Sequence, residues 1–335
     1  MDPITQTYNS GGAEALSDAG PQWGRAWLGP LLMVIYLGIF YLLERITGPL
    51  KPVHWLFLSV VGGFYFISKP TRYLVVIGLP VIAYATLYDF FQFIPFEKLL
   101  PIHIESIYHW DLNHFGITTL SGKILFHEWI YRVFSNPVLD FLTGVFYLLH
   151  VPVVIALIFY FWRAKSVSYA QKFTLAFFLI NALAFATYYL LPAAAPWYVE
   201  KFGFLQPLGP IPGDPAGLVN FENIIGVKFF SDNYQISPVV FGAIPSMHAG
   251  FATLGWLFSF RVSKKATLLL TVYIFGMYFS ALYLQHHYLL DVLWGISYAF
   301  LAWFMIDRIL SGPAEKLNRG LRSLFVDQAG GLLFK

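Results

Sequence analysis

The chain has 335 residues, of which 58% are apolar and only 12% charged, with a formal net charge of +3. A soluble domain carries about a quarter charged residues, so this balance excludes an ordinary soluble protein, and the small net charge argues against nucleic-acid binding. There is no cysteine, which excludes disulfides and thiolate metal sites.

The first 26 residues are polar and rich in Gly, Ser and Asp, without the basic-then-apolar layout of a signal peptide, and read as a flexible cytosolic tail. Eight segments of about bilayer-spanning length follow: Trp27–Leu43, Val53–Ser68, Tyr73–Tyr88, Phe141–Trp162, Phe173–Leu191, Ser246–Phe260, Ala266–Gln285 and Tyr288–Ile306. Most are apolar all round, and no β-barrel alternation is present, so the backbone must satisfy itself within helices. The prediction is an all-α polytopic membrane protein with about eight transmembrane helices.

Two long connections, about 89–140 and 192–245, interrupt the spans, and loops of that length inside a compact domain are usually functional. In the first, Phe126, Trp129, Ile130, Val133 and Phe134 recur at helical spacing, with His127, Glu128 and Arg132 on the other face. That pattern fits a helix lying in the membrane interface, and equally one packed on the loop's own core. The second carries Pro207, Gly209, Pro210, Pro212, Gly213, Pro215 and Gly217, which exclude one long helix and read as a cap over a site. The expected organisation is a tail over 1–26, N-terminal transmembrane helices over 27–88, an extracytoplasmic loop with the interfacial helix over 89–140, a catalytic core over 141–310 containing the cap 192–245, and a basic cytosolic tail over 311–335.

Eight spans put both termini on one side of the membrane. Of the 21 Lys and Arg residues, all but Arg45, Lys51, Lys98, Lys123, Arg132, Lys201 and Lys228 fall on that side. The positive-inside rule then places both termini in the cytosol and both long loops toward periplasm or organelle lumen. Most of the histidines fall near that outward face.

Tyr283-Leu-Gln-His286-His287-Tyr-Leu-Leu-Asp291 leads into the last span. His287 and Asp291 are four apart and share a helix face. A carboxylate there can hold one imidazole nitrogen and leave the other free as base or nucleophile. A structural His–Asp bond between helices explains the same spacing. Phe241-Gly242-Ala-Ile-Pro245-Ser246-Met-His248 leads into the sixth span. Pro245 suits a first helical turn, the amides after it form an anion site, Ser246 adds a hydroxyl, and His248 can move a proton. Parity brings both segments, and the end of the fifth span at LPAAAPWY (Leu191–Tyr198), to one membrane face. That convergence favours a catalytic site.

The order of PSMH and H-x-x-x-D resembles the type-2 phosphatidic acid phosphatase superfamily. The resemblance implies that His287 attacks phosphorus, Asp291 orients it, and His248 protonates the leaving alkoxide, while Ser246, Pro245, Gly242 and His286 line the phosphate. The superfamily's usual Lys and Arg-Pro are absent from LPAAAPWY, and Ala281 stands where an Arg follows the motif's Ser; Lys201 and Lys228 are candidate replacements. LPxxxPWY, SPVVFGAIPSMHAG and LYLQHHYLLDVLWG together resemble inositol phosphorylceramide synthase and its bacterial relatives, densely over about 185–300 and more loosely over 89–185. This implies a six-helix core with two added N-terminal helices. It also implies a metal- and cofactor-independent transfer of a phospho-headgroup, from a donor such as phosphatidylinositol to ceramide or a diacylglycerol-like acceptor. Trp197, Tyr198, Tyr234 and Tyr283 are candidate headgroup contacts or interfacial anchors. A hydrolase using the same histidines and a transporter with a buried proton relay are the competing readings. A metal held by His286, His287 and Asp291 is disfavoured, because adjacent helical residues point about 100° apart.

Overall fold

The computed structural model describes residues 27–47, 52–90, 100–235, 237 and 239–327, so the predicted tail over 1–26, part of the first long loop and the last residues lie outside the described residues. The chain divides into two compact units, Met1–Val76 with Arg319–Lys335, and Ile77–Asn318.

The first unit contains α1 (Leu28–Thr47), α2 (Pro52–Ile67) and the start of α3 (Lys69–Phe90). Three of its ionisable groups are buried: His54 Nδ1 lies 3.3 Å from Glu44 Oε2, and Arg72 donates from Nε to Tyr65 O and stacks over the Tyr65 ring.

The second unit holds α4 (Glu105–Phe115), a hairpin of β1 (Ile117–Thr119) and β2 (Gly122–Ile124), α5 (Phe126–Phe134), α6 (Pro137–Leu148), α7 (His150–Ala164) and α8 (Val167–Leu190). The connection 192–245 contributes α9 (Pro196–Phe202), α10 (Leu218–Ile225) and α11 (Phe229–Gln235), then α12 (Met247–Ser259), α13 (Lys264–Tyr283), α14 (Leu289–Phe304) and α15 (Ser311–Arg322) follow. The helix starts obey local chemistry. Asn136 Oδ1 accepts from the amides of Val138 and Leu139 with Pro137 in the first turn, and Ser166 and Ser263 cap α8 and α13.

Among the described residues five helices are long and apolar enough to cross a membrane, six if the bent pair α6 and α7 is one span. Two of the eight predicted spans fall short of crossing length: α2 has 16 residues and α12 has 13, and at 1.5 Å per residue the latter rises only about 20 Å. The predicted continuous span Phe141–Trp162 is instead two helices meeting at 49° around Leu149. Pro152 explains the break: it has no N–H to give the carbonyl of Leu148, so α6 cannot run through it. The Pro-rich connection forms three short helices rather than one.

Between the two histidine segments the backbones nearly touch. A Cβ built on Gly295 of α14 would fall 2.1 Å from Ser246 O. Ser246 N–H donates to Asp291 O at 2.9 Å, binding the head of α12 to the first turn of α14. Gly295→Ala should force these helices apart, with an overpacking cost of about 1–3 kcal/mol and loss of activity. The thermal midpoint of the purified variant in detergent checks the first; unchanged stability and activity would contradict the packing described.

LPAAAPWY is the middle line of a short backbone ladder. His103 N–H donates to Pro192 O, Ala194 N–H to His103 O, and Ala193 N–H to Phe241 O, at 2.8, 3.0 and 2.7 Å. Ala193, Ala194 and Ala195 are buried, and their small side chains let the neighbouring chains approach. This segment therefore positions the Gly242–Ser246 backbone rather than supplying charge.

Candidate active site

α13 ends at Tyr283, and the chain turns through Gln285, whose φ of 59° is in the left-handed region. A non-glycine residue there stores strain of about 1–3 kcal/mol, a cost found at sites where direction matters. The turn sends His286 and His287 to different places. His287 Nδ1 lies 3.1 Å from Ala243 O and 3.4 Å from Asp291 Oδ2. The nearer neighbour, the Ala243 carbonyl, can only accept, so Nδ1 carries the proton and Nε2 presents its lone pair. Nε2 faces His248 Nδ1 at 3.4 Å. Asp291 is fully buried, and its Oδ2 also accepts from Tyr288 N–H at 2.9 Å.

His248 is held by ring faces. Tyr147 stacks on it at 3.9 Å and 20°, and the His150 ring lies 4.5 Å away, tilted by 50°. Both come from the break between α6 and α7, which turns the chain toward the site; His150 Nδ1 donates to Tyr147 O at 2.9 Å. His286 Nε2 bonds Pro215 O at 3.0 Å, and its ring stacks between Tyr147 and Tyr234, whose hydroxyls are 3.3 Å apart. Four histidines and two tyrosines thus line one locus, with Pro215 and Tyr234 of the connection 192–245 against it.

The other sequence-predicted residues divide differently. Pro245 lies before the N-cap and not in the first helical turn, because Ser246 takes the cap position and the helix begins at Met247. The buried Ser246 Oγ accepts from Ala249 N–H at 3.4 Å, so one of the amides expected to be unpaired is occupied. Gly242 is needed for close approach: a Cβ there would fall 2.4 Å from Val239 Cγ1 and about 3.2 Å from the Tyr188 ring.

Trp197 and Tyr198 are buried in the cluster around Ala193–Ala195 and Phe241, with Tyr198 OH donating to Leu205 O; no described contact joins them to the histidines. Neither is exposed as an interfacial anchor would be. Tyr283 donates to Asp140 Oδ1 at 2.7 Å and stands apart from the histidine pair. Lys201 is engaged by Asp214, and Lys228 is exposed. His127, expected on the polar face of α5, is buried edge-on against Tyr288 together with Ile130, while Arg132, Val133 and Phe134 are exposed, so the buried stripe of α5 cuts across the expected polar and apolar faces.

Burial sets the charge of the histidines outside the spans. Loss of solvent lowers His287 from 6.5 to about 4, and lowers His286 and His127 to about 3. The unfolded chain takes up these protons near pH 6.5 while the folded protein refuses them until about pH 3–4. Stability is therefore full above about pH 6.5 and declines as pH falls toward 4, by at most about 1.4 kcal/mol per pH unit for each histidine. Thermal unfolding in detergent from pH 7.5 to 5 should show this decline, made shallower by His127→Phe. A flat profile would refute it.

The PAP2 superfamily model matches residues 121–305. A phosphoinositol dihydroceramide synthase of Bacteroides thetaiotaomicron is 32% identical over 281 residues, covering 83% of this chain and 91% of that protein. The catalytic subunit AUR1 of inositol phosphorylceramide synthase from Saccharomyces cerevisiae is 28% identical over 78% of this chain and 63% of its own length, and its Schizosaccharomyces pombe counterpart is 25% identical over 71% and 55%. No solved structure matches the chain. With apolar helices of spanning length and the match covering the whole histidine site, the chain belongs to the PAP2 superfamily, in its inositol phosphorylceramide synthase-like branch of membrane lipid headgroup transferases.

Proposed function

We propose that this protein transfers phosphoinositol from phosphatidylinositol to ceramide or dihydroceramide through a phosphohistidine on His287. The observation that carries this reading is the His287 ring, neutral, with Nδ1 tied to Ala243 O and Asp291 and Nε2 turned to His248. Nε2 attacks the donor phosphorus and the bond to the diacylglycerol oxygen breaks; His248 gives that oxygen its proton. The acceptor hydroxyl then loses its proton to His248 and its oxygen attacks phosphorus as the P–N bond breaks. Dividing one displacement into two is the gain from covalent catalysis.

A phosphoryl group cannot fit between nitrogens 3.4 Å apart, so donor binding moves the rings away from each other. The stacked face of Tyr147 lets His248 slide in its own plane while keeping its tilt. Among the described residues no Arg or Lys pairs with the histidines, and His286 already gives its one proton to Pro215 O, so the donors left for the phosphate oxygens are the Tyr147 hydroxyl and first-turn amides of α12. The cap helps exclude water, which favours transfer over hydrolysis. In this reading the site faces the periplasm or an organelle lumen and both termini face the cytosol, on the Lys and Arg distribution.

The test is mass spectrometry of the purified enzyme in detergent with phosphatidylinositol and ceramide. Inositol phosphorylceramide and diacylglycerol are the expected products. Inositol phosphate without a new lipid would replace the transferase with a hydrolase.

A further inference from the structure

The first turn of α14 is held by two carboxyl groups, its own Asp291 and one from a distant part of the chain. Asp291 Oδ2 accepts from Tyr288 N–H at 2.9 Å. Asp111 Oδ1, arriving from α4, accepts from Leu290 N–H, also at 2.9 Å. Leu290 lies between His287 and Asp291, so this bond fixes the backbone from which both members of the pair project. First-turn amides have no partner within their own helix, and here the second carboxyl supplies one.

The arrangement costs more than capping requires. Asp111 is fully buried, and although the Leu289 amide also lies near its carboxyl, its Oδ2 and the Oδ1 of Asp291 make no hydrogen bond with any described residue. A serine or asparagine would satisfy Leu290 N–H without placing a second carboxyl in the interior beside the first. Burial, with a smaller contribution from the Asp291 charge, raises Asp111 to about 6. A buried carboxyl with a free oxygen is a poor device for stability alone.

We propose that Asp111 is a positioning residue of the transfer site, pinning the first turn of α14 so that His287 and Asp291 keep their register against Ala243 and His248. This rests on the transfer reading above. Asp111 acts through Leu290 and touches no substrate. Through it, the short helix α4 becomes a part of the catalytic apparatus.

The test compares full-length wild type, Asp111→Ala and Asp111→Asn in detergent, the last retaining an acceptor for Leu290 N–H. Two quantities are read: the kinetics of headgroup transfer, and the rate at which diethyl pyrocarbonate modifies His287, followed by peptide mass spectrometry against the exposed His109. Asp111→Ala should lower kcat by about 10–100-fold, the range for partners that orient functional histidines, with KM nearly unchanged, and should change His287 labelling several-fold relative to His109. Asp111→Asn should restore both to near wild type.

The proposal is overturned if Asp111→Ala melts earlier yet turns over and labels like wild type per folded molecule, or if Asp111→Asn fails as Asp111→Ala does. Should the alanine variant not fold, the asparagine variant decides alone. Labelling needs no lipid, so a wild type without transfer but with the expected labelling pattern would sink the transfer reading and keep the pin.

Discussion

His287→Ala is expected to abolish headgroup transfer, lowering kcat by about 10⁴-fold or more, as removal of a covalent nucleophile does elsewhere. The size follows from the lack of a stand-in. His286 is adjacent in sequence, but its Nε2 is committed to Pro215 O and its ring is held between Tyr147 and Tyr234. His248 can exchange a proton but has no carboxylate placed to orient it as Asp291 orients His287. His150 keeps Nδ1 on Tyr147 O. The measurement is product lipid by mass spectrometry, beside trapping of the acid-labile phosphorylated peptide after rapid quench with donor alone. Wild type should carry the phosphoryl group on the peptide containing His287. A variant keeping more than about 1% of turnover would show that another group attacks phosphorus.

The pH course follows from the same burial. His287 must be neutral to attack, and it stays neutral down to about pH 4. The loss of activity contributed by its protonation should therefore fall near pH 4 rather than at the ordinary histidine value of 6.5. This limb lies below the range in which the folded protein begins to lose stability, so it is best read in short assays started by a pH jump.

Much of this site is legible in the chain because its rules are local. The spacing of His287 and Asp291 announces their pairing, and the apolar runs with their parity bring the segments of Leu191, Ser246 and His287 to one end of the helices. The rest depends on features that no spacing encodes. The acceptor nearest His287 Nδ1 is a backbone carbonyl, that of Ala243, 44 positions away. Tyr147 and His150 reach His248 because a helix breaks at Pro152, and a break inside an apolar run leaves the run's composition unchanged. His127 reads as a polar-face residue by helical spacing alone; only the packing of α5 shows it buried against Tyr288 while Arg132 of the same face stays exposed. Lys201 reads as a free cation until Asp214 is found beside it. Tyr198 and Tyr283 have polar handles that suit a headgroup, but tertiary packing assigns them to Leu205 and Asp140. Side chains that meet partners far along the chain are the ones sequence reasoning misplaces.

Asp291→Asn carries the other large expected effect, and its size separates two accounts of what the carboxylate does. In a serine-protease triad, the equivalent change costs about 10⁴-fold because the imidazole adopts the wrong tautomer. Here Ala243 O is closer to His287 Nδ1 than Asp291 Oδ2 is, 3.1 against 3.4 Å. A carbonyl only accepts, so the Nδ1–H tautomer survives without the carboxylate. What Asn removes is the negative charge that would stabilise the positive charge developing on the ring as Nε2 bonds to phosphorus. The expected loss is then about 10²-fold in kcat rather than 10⁴, with donor KM little changed. The amide keeps an acceptor for Tyr288 N–H, so the first turn of α14 should hold and the thermal midpoint should stay near wild type or rise, since a buried charge is gone. Steady-state kinetics with the phosphorylated-peptide assay read this directly. A loss near 10⁴-fold would mean that Asp291, and not the Ala243 carbonyl, sets the tautomer. A loss below tenfold would mean that the first step develops little charge on His287, and would place the principal stabilisation on the phosphate side, at His248 and the Tyr147 hydroxyl.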